Sequence, residues 1–284
     1  MSADAAFKSW EKAVDWLRRQ PDQRQLVVDC YYDDPLIKAA ERYWKSEEWA
    51  AIQERVTDRS GKALDVGAGR GIASYALAMD GFGVIALEPD PSTLVGSGAI
   101  RALAGETGLP IHVVEEYSET LPFSDDEFDL VFARAVLHHT RDLEKACQEF
   151  FRVLKPGGLL IVVREHVISK EEDLSRFLDI HPLHKLYGGE HAYRLVQYLA
   201  ALEKSGFLSL EVVSPWHSPV NFAPHTLKSL KAELAVRMSF GLQIIERLVV
   251  LLLDLPGVWP LARRLLDQFD RRPGRLYSFI AEKF

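Results

Sequence analysis

The stretch Ala63–Ser92, ALDVGAGRGIASYALAMDGFGVIALEPDPS, decides how this chain is read. A short apolar run, Ala63 to Val66, enters a turn holding Gly67, Gly69 and Gly71. A helical segment follows, and a second apolar run, Gly83 to Leu87, ends on Glu88. A strand that stops in a tight glycine turn leaves backbone N–H groups unpaired at the next helix start, and glycines let a ligand approach the main chain closely. An acid at the end of the second strand can accept hydrogen bonds from both hydroxyls of a ribose. Glycine turns also join strands to helices for packing alone; Glu88 is the residue that favours a ligand.

Outward from that stretch, apolar runs of strand length recur at Ile111–Val114, Phe128–Ala133, Leu159–Val163 and Leu208–Val213, with helical segments between them. This alternation predicts an α/β fold, a parallel sheet with helices on both faces, and right-handed crossovers leave few topologies. Between the fourth and fifth runs, Leu143, Cys147, Phe150 and Leu154 mark the buried face of a helix. KPGG, Lys155–Gly158, is expected to end it, because Pro156 cannot continue a helix and glycines accept positive φ.

Upstream, Phe7, Trp10, Val14 and Leu17 step at helical spacing and stop before Pro21. Asp34 is expected to cap a further helix, with Pro35 in its first turn and Leu36, Ala40 and Tyr43 along it. Downstream, residues 226–254 carry one apolar stripe through Leu227, Leu230, Leu234, Met238, Ile245, Leu248 and Leu252, broken by Pro256. A second stripe runs through Val258, Leu261, Leu265 and Phe269, and RLYSFIAEKF reads as a final strand. The expected organisation is an N-terminal helical cover (1–59), an α/β core (60–214), a C-terminal helical insertion (215–274) and a last core strand (275–284).

The chain has 284 residues, 48% hydrophobic and 26% charged, which suits a globular protein with a real core rather than a disordered one. A formal net charge of −7 gives no global attraction to nucleic acid or an anionic bilayer, so a small substrate is favoured and no nucleic-acid partner is expected. Cys30 and Cys147 are far apart, which offers neither a CxxC knuckle nor a disulfide framework; a reducing, cytoplasmic location is expected. The first residues lack the apolar region of a signal peptide, and no run reaches the ~18–20 apolar residues of a transmembrane segment.

Dinucleotide enzymes use G-x-G-x-x-G, whereas Gly67–Gly71 reads G-x-G-x-G and follows Asp65, an acid better suited to an amine-bearing ligand than to a pyrophosphate. With LDVGAGRG, LEPDPS, LPFSDDEFDLVFARAVLHH and RVLKPGGLLIVV in this order, the chain resembles the class I S-adenosylmethionine-dependent methyltransferases, in the branch related to quinone and small-molecule methyltransferases. The resemblance covers residues 60–214 and the last strand. It implies a Rossmann-like, seven-stranded doubly wound sheet whose last strand is inserted antiparallel beside the sixth, and S-adenosylmethionine as cofactor. The helices separating Leu208–Val213 from that last strand depart from the family's short hairpin.

The resemblance also implies roles. Gly67, Ala68, Gly69 and Gly71 would hold the methionine part of the cofactor, with Asp65 near its amino group, Glu88 and Pro89 at the ribose, and Arg134 in the same set. Where the family usually carries an aspartate and a small residue that reads adenine, this chain has Tyr117 and Ser118, and Tyr117 is expected to stack or to replace the carboxylate.

Methyl transfer from a sulfonium is an in-line displacement, so an enzyme chiefly aligns the acceptor and excludes water. A hydroxyl acceptor also needs a base, for which histidine is suited near neutral pH. His138 and His139 follow the fourth run and His166 ends the fifth, on the ligand edge of such a sheet, and are the candidate catalytic residues. One of the pair can instead cap the next helix, and Glu165 can either orient His166 or pair with Arg164.

HPLHKLYGGEHAY supplies His181, His184 and His191, expected to contact the acceptor, with loop or helix-start structure as the alternative; with Glu190 they match no zinc spacing, and no metal is expected. Tyr31 and Tyr32, near Tyr43, Trp44 and Trp49, are expected to cover the acceptor, though such aromatics also serve as helix-to-core anchors. IIERLVVLLLDLPGVW is expected to pack internally or to form a homodimer contact, with a substrate lid and a membrane-surface contact as further readings. The whole reads as a methyltransferase acting on a small organic acceptor, O-methylation preferred. The alternatives are a binding or scaffold protein that kept the fold without catalysis, and a nicotinamide-dependent oxidoreductase.

Overall fold

A computed structural model describes residues 9–56, 60–239 and 242–284. Phe7 lies outside the described residues. The strands are β1 (Lys62–Val66), β2 (Gly83–Leu87), β3 (Ile111–Val114), β4 (Phe128–Arg134), β5 (Leu154–Ile168), β6 (Tyr193–Arg194), β7 (Ser209–Val213) and β8 (Arg275–Glu282). Seven of them form one sheet in the order β3-β2-β1-β4-β5-β8-β7, and the two-residue β6 pairs with β5 off that path. β1 to β5 run parallel, whereas β8 is antiparallel to both β5 and β7. The expected seven-stranded, doubly wound sheet with an inserted last strand is the architecture observed.

Both faces of the central strands are buried because their alternate residues serve two cores. Ala63, Phe132 and Ile161 pack toward one side, while Leu64, Val131 and Leu160 pack toward the other. The N-terminal cover, α1 (Trp10–Arg18), α2 (Arg24–Asp29), α3 (Leu36–Trp44) and α4 (Glu47–Gln53), supplies Tyr43, Trp49 and Ile52 to the first core. That core also takes residues of α5 (Ile72–Met79) and α6 (Ser97–Thr107); α7 (Leu143–Val153) and, beyond β6, α10 (Leu195–Lys204) cover the second. Between β5 and β6 lie α8 (Asp173–Ile180) and α9 (His184–Tyr187).

Polar anchors fasten the cover, as buried charges and dipoles require. Asp80, at the end of α5, accepts the indole N–H of Trp44 and of Trp49, both at 3.0 Å, and the amide of Gln53. Asp34 is drawn into an ion pair with Arg70 at 2.6 Å and another with Arg18. It therefore does not cap α3, whose N-cap is Pro35 without a side-chain hydrogen bond.

Two further expectations give way. KPGG lies inside β5 rather than between helix and strand: α7 ends at Val153, and the chain pairs with β4 from Leu154, with a bulge opposite Phe128–Leu130. The stripe over 226–254 is two helices, α12 (Leu227–Met238) and α13 (Gln243–Asp254), following the short α11 (Pro219–Phe222). With α14 (Val258–Phe269) they enclose a small core of Trp216, Leu230, Leu253 and Trp259. Their outer side stays open, with Ile244, Leu248, Leu251, Leu261 and Phe269 all exposed. No helix among the described residues is long and apolar enough to cross a membrane.

Candidate active site

The C-terminal ends of β1, β2, β4 and β5 open into a cavity of about 630 Å³, within the range of small-molecule sites. The glycine turn forms its floor. Gly67, Gly69 and Gly71 adopt φ of 61°, 54° and 82°, a region that L side chains avoid. A Cβ on Gly67 would lie 2.7 Å from a Val136 methyl, whereas one on Gly69 would meet only the Val95 carbonyl at 4.0 Å. Gly69 thus faces open space and Gly67 faces packing. Gly71 does not line the cavity; it is the N-cap of α5, tucked against Ile100.

Glu88 reaches back over the turn. Its Oε2 accepts the Gly69 N–H at 2.7 Å and its Oε1 accepts the Asp90 N–H at 2.9 Å. Burial pushes its pKa up to about 7 despite those bonds. Asp65 is 1% exposed, accepts the Ser74 hydroxyl at 2.5 Å and has no ion pair among the described residues. Burial raises it to about 7 as well, with the nearby Glu88 adding to the shift. Ala68, Pro89, Ser118 and the exposed Tyr117 line the same end, and the Arg141 guanidinium stacks 4.9 Å from the Tyr117 ring. Arg134 also lines the cavity, yet its guanidinium is held by the cover: Nε donates to Glu48 at 2.7 Å, and the group lies over the rings of Tyr31 and Tyr43.

The far end is built from histidines that the fold draws together. Ala135 and Arg164 take left-handed φ values of 57° and 63°, and Arg164 sits in a bulge where β5 slips against β8. Such a bulge re-aims the residues after it. Glu165 turns inward and accepts the backbone N–H groups of Val136, Leu137 and His138 at the start of a single 3-10 turn, Leu137–His139. Its Oε2 also lies 2.6 Å from His138 Nδ1. Glu165 therefore orients His138, not His166, since successive strand residues point to opposite sides. Arg164 turns away to donate to the carbonyls of Val220 and Ala223, with Glu48 3.9 Å off. Neither histidine caps α7; Asp142 does.

Burial works against a charged His138, but the charge and hydrogen bond of Glu165, with Glu190 beyond, raise its pKa to about 9. Burial lowers those of His139, His166 and His181, that of His166 most, and the His138 charge adds to the effect. Glu190 is opposed by its own burial, yet the surrounding histidines hold it down at about 2. His138, His139, His166 and His181 line the cavity with Tyr31 and Tyr32. His184 and His191 do not; the His191 ring packs 4.4 Å from that of Tyr193.

Residues missed in the sequence complete the wall. The Trp10 ring packs 5.8 Å from both Tyr32, edge-on, and Tyr187, tilted, joining α1 to α9, and Glu48 anchors Arg134. Trp10 stood on a helical apolar stripe, which signals burial but not a cavity. Arg134, the partner of Glu48, is 86 residues away and carries no local signal.

Residues 64–162 match the family described as methyltransferase domain. Over 129 residues the chain is 32% identical to a ubiquinone/menaquinone biosynthesis C-methyltransferase of Vibrio parahaemolyticus, covering 44% of this chain and 49% of that one. Residues 64–162 form a class I methyltransferase domain.

An uncharacterised methyltransferase of Mycobacterium marinum is 35% identical over 118 residues, 41% of this chain and 44% of that protein, so the chain spans about half the length of the relatives it matches. A phosphoethanolamine N-methyltransferase of Haemonchus contortus, solved with phosphomonomethylethanolamine and S-adenosylhomocysteine, shares the fold: its TM-score is 0.56 at 18% identity, over 95% of this chain and 60% of that one. The methyltransferase domain holds the glycine turn, Glu88, His138 and His139. His166, His181, Glu190 and the cover lie beyond it.

Proposed function

We propose that this chain transfers a methyl group from S-adenosylmethionine to a small organic acceptor, preferentially onto oxygen. The observation that carries the reading is one continuous cavity with the glycine turn, Asp65 and Glu88 at one end and four histidines at the other. The cofactor end fits its ligand on chemical grounds. Asp65 is a buried carboxylate without a cation, which an α-ammonium would complete. Glu88 spends one lone pair of each oxygen on the main chain and keeps the others for two ribose hydroxyls. The open space over Gly69 leaves room for the methionine part of the cofactor beside the turn, and Tyr117 offers a ring face to adenine.

When bound, S-adenosylmethionine supplies an electrophilic methyl group on sulfur. The protein's part is alignment, exclusion of water and removal of a proton. Trp10, Tyr32 and Tyr187 wall the cavity with rings, which favours an apolar or cyclic acceptor body. His139 and His166 each donate Nδ1–H to a main-chain carbonyl, of Gly189 and Gly274, and so leave Nε2 to hold an acceptor hydroxyl.

Calorimetric titration with S-adenosylmethionine and S-adenosylhomocysteine tests the cofactor end, beside Gly69→Arg and Glu88→Ala. Micromolar binding, abolished by the first change and weakened by the second, is expected. Release of S-adenosylhomocysteine with a hydroxylated acceptor then separates an enzyme from a scaffold. No binding of either ligand would remove the reading.

A further inference from the structure

We propose that Glu190 and the histidines around it bind one divalent transition-metal cation of the zinc class at the acceptor end of the cavity. Four imidazoles arrive from three parts of the chain: His138 and His139 from the turn after β4, His166 from β5 and His181 from the end of α8. They stand in a row in the order 139, 138, 166, 181, with successive ring centroids 4.2, 4.8 and 5.2 Å apart.

The Glu190 carboxylate lies against this row. Its Oε2 is 3.6 Å from His138 Nε2 and 3.8 Å from His139 Nε2, and its Oε1 is 3.9 Å from His181 Nδ1. These separations are too long for hydrogen bonds. They are close to the ~3.4 Å between two ligand atoms that share one cation at tetrahedral angles with bonds of about 2.1 Å. Elsewhere in the same cluster a carboxylate that meets a histidine directly closes to 2.6 Å, as Glu165 does on His138. Glu190 is common to two overlapping triads, His138–His139–Glu190 and His166–His181–Glu190, and within each the ligand atoms all lie within 4.8 Å of one another.

The outer contacts of three of the rings point the same way, while His181 Nδ1 also accepts the His184 N–H at 3.3 Å. Nδ1 of His138 is fixed by Glu165, that of His139 by the Gly189 carbonyl at 3.0 Å and that of His166 by the Gly274 carbonyl at 3.0 Å. Three rings thus offer the same nitrogen, Nε2, which is how metal-ligating imidazoles are held. A mixed imidazole and carboxylate set suits zinc, manganese or ferrous iron better than magnesium or calcium. Because the ligands come from separate segments, their sequence spacing shows no metal pattern.

The cation's role deepens the methyl-transfer reading and rests on it, although the site itself does not. A cation here would hold an acceptor through a hydroxyl or carboxylate oxygen and stabilise its anionic form, in place of imidazoles acting alone.

The test uses the full, untagged chain, stripped with a chelator and titrated with Zn²⁺ by calorimetry and with Co²⁺ by visible absorption. Glu190→Ala, Glu190→Gln and His139→Ala are run in parallel, and every protein is also titrated with S-adenosylhomocysteine. The parent should take up one equivalent at micromolar or tighter dissociation constant and show Co²⁺ ligand-field bands. Binding should weaken about a hundredfold in both Glu190 variants and about tenfold in His139→Ala, with S-adenosylhomocysteine binding retained. Absence of stoichiometric metal in the parent, or affinity unchanged in the folded Glu190→Gln protein, overturns the site. Nucleoside binding without metal binding removes the metal proposal alone; metal binding without nucleoside binding removes the methyl-transfer reading alone.

Discussion

Glu165 grips His138 from behind: the carboxylate sits 2.6 Å from Nδ1 of a ring that is 2% exposed, and it also accepts three successive main-chain N–H groups. One buried acid therefore fixes both the turn after β4 and the direction of its histidine. Glu165→Ala strands those donors away from water, and a loss of about 3–5 kcal/mol in unfolding free energy is expected from urea titration. Glu165→Gln keeps one acceptor oxygen and should lose less. An alanine variant within about 1 kcal/mol of the parent would contradict this role.

Asp65 and Glu88 titrate at about 7 in the folded chain because burial disfavours their charge. In the unfolded chain the same groups lose their protons near pH 4. Stability is therefore highest below about pH 4 as far as these two groups are concerned, and declines as pH rises toward 7. Ligand binding should run the other way, since an ammonium prefers Asp65 ionised. The affinity for S-adenosylhomocysteine is expected to fall about five- to tenfold from pH 7.5 to 6, with proton release visible in buffers of different ionisation enthalpy. Asp65→Asn should flatten that slope; an unchanged slope in this variant would reassign the proton.

Gly67 and Gly69 share a left-handed backbone but differ in what lies beyond it. Gly69→Ala should cost about 1–2 kcal/mol in stability, for the backbone alone, while reducing cofactor affinity by a larger factor. Gly67→Ala adds a collision with Val136 and should destabilise more. Paired denaturant and calorimetric titrations separate the two, and equal stability losses would place Gly69 in packing as well.

Glu48 is the anion for two arginines, at 2.7 Å from Arg134 and 3.9 Å from Arg164, and its side chain is fully buried. Glu48→Ala leaves both cations unpaired in the interior, so a loss of about 3–5 kcal/mol is expected, with faster proteolysis within α2 to α4. Glu48→Gln should recover part of it. A cover that resists protease as well as the parent would mean that the aromatic contacts suffice to hold it.

Local chemistry made much of this legible. The turn at Gly67–Gly71 and Glu88 declare themselves because φ sign, strand length and an acid at a strand end are properties of neighbouring residues. The parallel α/β sheet followed from the same alternation, and its inserted last strand from the family resemblance. What stayed hidden depends on contacts across long stretches of chain. Glu165 was legible as an orienting acid, but its partner is 27 residues away rather than adjacent, because a bulge at Arg164 re-aims the strand. KPGG read as a helix stop, and the helix does stop there; that the same residues already pair with β4 is a property of the sheet. Asp34 looked like a cap until Arg70, 36 residues on, claimed it. His181 and Glu190 reach the cavity while His184 and His191 do not, a distinction set by the path of the chain around α9.

The roof of the cavity is fastened unequally. On one side the cover is bolted to the core by Asp80, by Asp34 with Arg70 and by Glu48 with Arg134. On the other, α9 meets α1 through the Trp10 and Tyr187 rings, and Gly189 meets His139 through one hydrogen bond. Opening on the first side breaks the buried Glu48–Arg134 pair and the hydrogen bonds on Asp80, whereas opening on the second parts two rings and one hydrogen bond. Traffic into and out of the site is therefore expected past Tyr187; under the methyl transfer proposed above, that ring would gate acceptor size and the rate at which products leave.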